Sequence, residues 1–534
     1  PGLRHSKLID FQSVDATRLS TASIFTLQTD ELLKGARLDY GKTLKGAEEH
    51  LHNLKGIIES IPQHDAAPIH DASVKFEKKH HIAIPYPEPK PAKDAPYKIS
   101  YEPPARCNVV GSYRSKTMVK TQGSFAVDMV VEMPRSIFQE KDYQNLRYFY
   151  RRAYYIAYVA AHVRDALGQS MEADFEFLND NRLLPVLALH PKLEAGEDHD
   201  GTNGKKEKKA SKKSDYTIRI IPCAPKDLFP PNKLMPTSNA NKAAESDEKK
   251  ATNTATPFYN STLKAESTFM EYLKLLTAKG ENSESKNYCP AFRDACMLGR
   301  IWLQQRGFSG AISGGGFGHF EWALTMALLL ESGGRNGSPI LSSSLCSTEL
   351  FKATIQYLAE RNFNKAPTIL GKGNSDAARE NGPVLFDGSK NLNILYKMTP
   401  SSASLLQMQA KSTMDLLADE SADKFAPIFI VKANVFTQLY DAVFEINSPD
   451  LTKSLGSTDG HGAVWENTAE IYKVLKKAYG SRADLVHIHQ PATRHWPLGA
   501  SPRGETQRVL VGVSFDFPQM SRQMEHGPPA EEQK

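Results

Sequence analysis

The feature that most constrains this chain is a pair of apolar segments joined through a glycine–serine turn near residue 110. Val109-Val110 precedes Gly111-Ser112, and residues 127–133 then read Val-Asp-Met-Val-Val-Glu-Met. Short apolar runs bounded by turn residues predict strands, and the aromatic and apolar stretch 142–167 after them predicts a long helix. A mixed α/β domain should therefore begin near residue 105.

This turn and the strand after it have the outline of a nucleotidyltransferase active site, in which Gly-Ser holds phosphates and carboxylates hold two metal ions. Alternate residues of a strand share a face, so a second metal-binding acid would stand two residues after Asp128. Val130 stands there instead. Glu132 lies four residues from Asp128, and that span is roughly 13 Å along a strand, too far for a shared metal site.

The remaining positions of the outline also lack acids. A third acid would come from the predicted strand 216–221, where Arg219 stands, and a cation there repels a metal ion. Asp441 and Glu445 repeat the Asp-x-x-x-Glu frame in a second apolar segment, which indicates an internal repeat. Val443 holds the middle position of that repeat, and no Gly-Ser precedes it.

Gly111, Ser112 and Asp128 are accordingly interpreted as vestiges of an active site. We expect no enzyme activity, no catalytic residue, no bound metal and no cofactor. Two alternatives stay open at this point. One is an active, template-independent RNA nucleotidyltransferase that uses Asp128 and an unidentified acid. The other is an NTP-sensing module that binds nucleotide through Gly111 and Ser112 without turnover.

Composition and periodicity divide the chain into four predicted segments. They are an N-terminal helical segment at 1–70, a nucleotidyltransferase-like domain at 71–260, a helical domain at 261–422 and a second nucleotidyltransferase-like domain at 423–534. The second segment has a proline-rich lead-in and two polar tracts, 194–215 and 239–256, that we expect to be disordered insertions. The last segment has strand signals at 428–431 and 439–446, and we expect it to be incomplete.

The charge of the chain permits RNA as a partner without requiring it, because the net charge is +5 and the pI is about 8.7. The candidates for phosphate contact are Arg151, Arg152, Lys205, Lys206, Lys208, Lys209, Lys212 and Lys213. The arginines lie on an aromatic helix that should pack against the sheet, with its exposed edge offering them to RNA. The lysines lie in the first tract, where a solvated loop is the simpler interpretation. The longest apolar run, 323–330, is too short to span a bilayer, so no membrane partner is expected.

Several strings of residues occur together in an order that is specific to one family. The strings are 27–33, 111–113, 127–134, 138–143, 148–155, 302–308, 314–322 and 393–398. In these strings the chain resembles the Nrap family, which are nucleolar RNA-associated proteins of the small-subunit processome. The resemblance covers nearly the whole chain outside the charged insertions, and it implies that the chain is part of a longer protein.

The resemblance implies a fold class of α/β plus α, with tandem nucleotidyltransferase-like α/β domains alternating with a helical domain like that of poly(A) polymerase and oligoadenylate synthetase. It implies a non-catalytic scaffold of the 90S pre-ribosome, located in the nucleus and nucleolus and acting in pre-18S rRNA processing. The implied partners are pre-ribosomal proteins, including ribosomal RNA-processing protein 7 and casein kinase II subunits. Pre-rRNA or U3 small nucleolar RNA would be the RNA partner.

Overall fold

The computed structural model describes residues 16–192, 216–242, 255–281, 288–334, 336–373, 382–419, 423–453, 459–502, 504 and 508–522. The first polar tract with its six lysines lies outside the described residues, as does most of the second tract. The helices are α1 (Ala16–Ala36), α2 (Tyr40–Thr43), α3 (Ala47–Glu59), α4 (Ile69–His80), α5 (Gly111–Arg114), α6 (Arg147–Leu167), α7 (Pro257–Gly280), α8 (Phe292–Gln305), α9 (His319–Glu331), α10 (Ser347–Ala359), α11 (Pro400–Ala418), α12 (Ala463–Tyr479) and α13 (Phe517–Met520). The strands are β1 (His64–Pro68), β2 (Lys98–Tyr101), β3 (Arg106–Val110), β4 (Phe125–Glu132), β5 (Met171–Phe177), β6 (Pro185–Pro191), β7 (Tyr216–Cys223), β8 (Thr368–Leu370), β9 (Leu385–Asp387), β10 (Leu392–Asn393), β11 (Ala442–Asn447), β12 (Ala483–His489), β13 (Trp496–Pro497) and β14 (Arg508–Phe515).

The helices α1, α2 and α3 precede the strands of the first domain, as the predicted N-terminal helical segment at 1–70 indicates. α3 buries Ala47, Leu51, Leu54 and Ile58, a helical spacing that places these side chains on one face. That face packs against α6 in the core of the first domain. The proline-rich lead-in crosses the same helix, where the Tyr150 hydroxyl donates a hydrogen bond to the carbonyl of Pro89.

Six strands form the central sheet in the order β13-β5-β6-β7-β4-β3. β4 and β7 are parallel, whereas the other neighbouring strands are antiparallel. α6 contacts β5, β6 and β7 and buries most of its aromatic residues, so the predicted packing of this helix is confirmed. β13 comes from the last segment of the chain, which therefore adds an edge strand to the first sheet.

Residues 257–418 are mainly helical, as the sequence predicts. Trp302 of α8 is fully buried beside Trp322 of α9, with ring centroids 6.1 Å apart. A small sheet in the order β10-β9-β8 interrupts the helices. Its strands are only two or three residues long, which is too short to leave a periodic signal in the sequence.

The last described residues form a three-stranded antiparallel sheet, β11-β14-β12, with α12 packed against β12. β11 (Ala442–Asn447) overlaps the strand predicted at 439–446, beginning three residues later and ending one residue later. The strand predicted at 428–431 is wrong, because residues Ala426–Ile430 form a π-helical turn. Ile428 and Phe429 are fully buried in the core of the helical region, and a short apolar run suits such a core turn as well as it suits a strand. Among the described helices, none combines the length and apolar character needed to cross a bilayer.

Candidate functional site

The turn between β3 and α5 brings the three predicted vestigial residues together. Val110 lies opposite Asp128 in the antiparallel pairing of β3 and β4. Gly111 follows with a φ of +70°, and a Cβ at this position would lie 3.0 Å from Asp128 Oδ2. Glycine therefore serves both the backbone conformation and the close approach of the carboxylate. Ser112 is the first residue after it and is buried.

Arg219 occupies the position at which the active-site outline predicts a third metal-binding acid. Parallel pairing of β4 with β7 sets Asp128 beside Arg219. Arg219 Nε donates a hydrogen bond of 2.7 Å to Asp128 Oδ1, and Arg219 Nη1 lies 3.7 Å from Glu176 Oε1 on β5. Among the described ion pairs, the Arg219 guanidinium therefore contacts two acids, Asp128 and Glu176. It places a positive charge where a metal ion would otherwise lie.

The charges in this cluster reinforce one another. Burial alone would lower the pKa of Arg219, but the charge and hydrogen bond of Asp128, followed by Glu176, raise it. Burial raises the pKa of Glu176, partly offset by Arg219. The guanidinium is therefore permanently charged and the Asp128 carboxylate is already occupied by a donor.

Val130, at the position of the second metal-binding acid, is fully buried. It belongs to a small apolar cluster with Val110, Val186, Ile221 and Cys223. Apolar residues of α7 cover this cluster, namely Phe269, Met270 and Leu273. The strand face that would carry the second metal ligand is thus sealed by a helix. Within the described ranges, no group of three or more His, Cys, Asp and Glu side chains is arranged to hold a metal ion.

The helical region adds cations beside this site. His319, the first residue of α9, has a neutral ring, because burial and then Arg300, Arg219 and Lys397 lower its pKa well below the usual value. Arg300 of α8 is buried and donates to Gln122 Oε1 at 2.7 Å, while its Nε and Nη2 find no hydrogen-bond partner among the described residues. Burial lowers the pKa of Arg300 to about 10. The site therefore has a positive wall on the side of the helical region.

The phosphate contacts predicted for Arg151 and Arg152 are wrong, because both side chains are buried in α6. Arg151 Nε donates to Asp142 Oδ2 at 2.6 Å, and Arg152 Nε donates to Glu266 Oε2 at 2.8 Å. Both guanidinium groups therefore stabilise the packing of α6 and face away from solvent. The contacts predicted for Lys205, Lys206, Lys208, Lys209, Lys212 and Lys213 lie outside the described residues.

Glu176 and Arg300 are site residues that the sequence reasoning missed. The strand β5 carries a signal that could have located Glu176, since Met171, Ala173, Phe175 and Phe177 alternate with polar residues. Arg300 lies within an amphipathic helix, and nothing in its spacing distinguishes it from a surface arginine. Only the packing of α8 against the rest of the fold shows that it is buried.

The chain therefore combines an α/β domain, which carries the glycine–serine turn and Asp128, with a helical domain that follows it. Family models then match in three consecutive parts: Nrap protein domain 1 at residues 66–282, Nrap protein PAP/OAS-like domain at 291–432 and Nrap protein domain 3 at 436–534. The chain belongs to the Nrap family, and the resemblance noted in the sequence is confirmed.

Curated relatives agree with this membership. The chain is 31% identical to U3 small nucleolar RNA-associated protein 22 of Saccharomyces cerevisiae over 96% of this chain and 41% of that protein. It is 24% identical to Nucleolar protein 6 of Homo sapiens, over 96% of this chain and 43% of that protein. The chain thus spans about two-fifths of the length of these relatives. Their names confirm the nuclear and nucleolar location predicted from the sequence.

Solved structures show a more distant likeness. Escherichia coli MS115-1 CdnC with ATP aligns with a TM-score of 0.37 and 11% identity, covering 77% of this chain and 97% of that chain. The polymerase core of TRAMP, an RNA surveillance complex, aligns with a TM-score of 0.31 and 11% identity, covering 61% and 81%. With TM-scores below 0.5 and 11% identity, these structures give no information about the chemistry of this chain.

Proposed function

We propose that this chain is part of a non-catalytic assembly factor of the nucleolar small-subunit processome, or 90S pre-ribosome. In this role it acts in pre-18S rRNA processing through contacts with protein and RNA. The observation that carries the proposal is the Arg219–Asp128 ion pair at the centre of a nucleotidyltransferase-like site. Membership of the Nrap family and the names of its relatives support the nucleolar part.

The chemical argument rests on what nucleotidyl transfer needs. Two metal ions about 3.5–4 Å apart stabilise the attacking and leaving oxygens, and adjacent carboxylates must hold both ions. In this chain Asp128 accepts a hydrogen bond from a fixed cation, and Val130 lies sealed in an apolar cluster. A metal ion at Asp128 would have to displace Arg219, and Val130 offers no carboxylate for the second ion.

The domain division and the partners belong to the same proposal. The sheet β11-β14-β12 with α12 supports a second nucleotidyltransferase-like domain after the helical one, in tandem with the first. We include as partners the pre-ribosomal proteins that the family resemblance implies, among them ribosomal RNA-processing protein 7 and casein kinase II subunits. Pre-rRNA or U3 small nucleolar RNA is the proposed RNA partner.

The test is a primer-extension assay with the full chain. The protein is incubated with each NTP, magnesium or manganese, and a labelled RNA primer, beside an active nucleotidyltransferase as the positive control. We expect no extension. Template-independent extension that disappears in the isosteric variant Asp128→Asn would contradict the proposal and establish an enzyme.

A second candidate function, an NTP-sensing module, is favoured by the positive wall beside Gly111 and Ser112. Arg300 lies on that wall, and two of its nitrogens have no hydrogen-bond partner in the part of the chain that the structure describes. A ligand that binds only the folded state raises the melting temperature, so thermal unfolding with and without ATP separates the two candidates. A shift that survives removal of magnesium and disappears in Arg300→Met would support sensing, whereas an unchanged melting temperature supports the scaffold alone.

A further inference from the structure

A cavity of about 200 Å³ lies where the three parts of the fold meet. Phe177 and Arg182 line it from the first α/β domain, Phe258 and Ser313 from the helical region, and Trp465 and Arg494 from the last α/β module. A pocket for a drug-sized ligand usually measures about 300–1,000 Å³. This cavity therefore suits one planar ring system better than a peptide segment.

The junction around the cavity is held by Asp180. Its Oδ1 accepts hydrogen bonds from the backbone N–H and hydroxyl of Thr493, and its Oδ2 accepts them from the backbone N–H and hydroxyl of Ser313. These four bonds fix three parts of the chain against one another. They also occupy both oxygens of the carboxylate, while Arg494 adds an exposed cation to the lining.

An aromatic stack forms one side of the cavity. The ring of His461 lies between Phe258, with centroids 3.7 Å apart, and Trp465, with centroids 3.6 Å apart and the planes only 2° from parallel. The His461 side chain is only 8% exposed, and its Nδ1 has no hydrogen-bond partner among the described residues. Within the same described ranges, Trp465 Nε1 is also buried without a partner.

These unpartnered ring edges are the strongest sign of a ligand. A buried polar atom without a partner destabilises the fold by about 1–3 kcal/mol, and two such atoms belong to stacked rings that line the cavity. A neutral imidazole offers one donor and one acceptor, while an indole offers one donor. This set matches the edge of a nucleobase, which also mixes donors and acceptors and has flat faces that stack on aromatic rings.

We propose that this cavity binds one unpaired nucleobase of a single-stranded RNA, with the edges of His461 and Trp465 as its polar contacts and Arg494 beside the adjoining phosphates. The inference rests on the proposed RNA contact and extends it to a defined site. Direct contact with phosphates alone would position an RNA without selecting a base. The cavity therefore selects RNA segments whose bases are unpaired.

The first test uses a twelve-nucleotide oligouridine RNA with one central 2-aminopurine, whose emission is quenched when the base stacks. Binding of the full chain is followed by anisotropy of a terminal dye and by 2-aminopurine emission. Ala492→Trp fills the cavity from an exposed position in its lining, and His461→Phe keeps the stack but removes the ring nitrogens. We expect both variants to bind at least about fivefold more weakly and to lose the quenching. The matched control is His487→Phe, which removes a histidine that packs on Phe436 and hydrogen-bonds Tyr440 outside the cavity lining, and it should bind RNA and quench as the wild type does.

The outcomes separate this inference from the proposed function. RNA that binds the wild type without quenching, and with unchanged affinity in Ala492→Trp, would overturn the cavity while the RNA contact stands. Absence of any RNA binding would contradict both. A photo-crosslinking benzoylphenylalanine at position 492 in the assembled particle gives an independent readout. An RNA adduct supports the site, and adducts to protein alone would assign the cavity to a partner polypeptide and overturn it. Thermal unfolding of each variant checks that the fold is intact.

Discussion

Removing the guanidinium of Arg219 should turn the centre of the first sheet into a pair of uncompensated acids. In the wild type, Arg219 contacts Asp128 directly and lies 3.7 Å from Glu176. Arg219→Ala leaves both carboxylates without this cation. Because Asp128 already acts to raise the pKa of Glu176 and Arg219 acts to lower it, the substitution should raise that pKa further.

The magnitude follows from how far water reaches the cluster. Breaking one side of a buried ion pair costs about 3–5 kcal/mol, whereas an exposed pair contributes about 0–1 kcal/mol. The side chains of Arg219, Asp128 and Glu176 are 24%, 18% and 25% exposed, so solvent screens part of the interaction. We expect Arg219→Ala to weaken the local stability of the sheet by about 2 kcal/mol.

The loss should depend on pH in a defined direction. An acid whose pKa is raised in the folded state destabilises the fold above its unfolded pKa, and this effect disappears as protonation proceeds at lower pH. The difference between wild type and Arg219→Ala should therefore be largest near pH 7 and should shrink as the pH falls toward the usual carboxylate range near 4.5. Hydrogen exchange of peptides covering β4 and β7 measures this locally, because a chain of several domains does not unfold in one step.

Magnesium supplies the decisive comparison. If Arg219 stands in the place of a metal ion, then removing it should allow Mg²⁺ to bind between the acids and restore protection of β4 and β7, while the wild type shows no response. Arg219→Lys keeps the charge and should lose less, and Arg494→Ala, an exposed arginine at the RNA cavity, controls for loss of an arginine elsewhere. Equal protection in Arg219→Ala and Arg494→Ala, or an equal magnesium effect in the wild type, would refute the reasoning.

Three other predictions test packing and protonation. Val130→Asp should reduce the free energy of unfolding by about 3 kcal/mol or more, because a fully buried valine is replaced by a carboxylate that loses water; a melting temperature equal to that of Val130→Ala would contradict this. Gly299→Ala should destabilise by about 1–3 kcal/mol, since its Cβ would lie 2.1 Å from Trp322. Its control Gly56→Ala, whose Cβ meets nothing within 4 Å, should stabilise α3 by about 0.5–1 kcal/mol in the same melts. Burial lowers the pKa of His461 to about 3, so the neutral ring contributes its full stability above about pH 6.5, and the free energy of unfolding falls as the pH drops below that value. Because phenylalanine does not titrate, His461→Phe should gain about 2 kcal/mol of stability relative to the wild type between pH 7 and pH 5 in denaturant melts. Parallel pH profiles of the two proteins would contradict the lowered pKa.

Elements that depend on local periodicity could be predicted from the sequence. The helices α3, α6, α8, α9, α10 and α11 fall where apolar residues recur at helical spacing. The contact between Gly111 and Asp128 could also be predicted from the sequence, because a turn followed by an antiparallel strand brings neighbouring chain positions together. The outline placed Arg219 at the position of the third acid, whereas the parallel pairing of β4 with β7 that sets it beside Asp128 is seen only in the structure.

Features that depend on distant partners could not be predicted in this way. Arg151 and Arg152 resemble exposed cations in the sequence, and only Asp142 and Glu266 show why they are buried. The π-helical turn at Ala426–Ile430 exists because Phe429 fills a space beside Phe25 and Phe351. Likewise, β13 pairs with β5 across more than three hundred residues of sequence, and no local pattern specifies that contact.

Asp128 has a structural reason to be present that does not require catalysis. Its carboxylate accepts the hydrogen bond of Arg219 and lies against Gly111, so its removal leaves a half-buried guanidinium without its main partner. Asp128→Ala and Arg219→Ala should therefore each reduce protection of β4 and β7, and the double variant should lose clearly less than the sum, because the two changes remove the same interaction. Additive losses would show that the two residues stabilise the sheet independently, and would contradict this structural role of Asp128. The double-variant comparison thus measures the stabilising interaction itself, which a loss of function in Asp128→Ala alone does not.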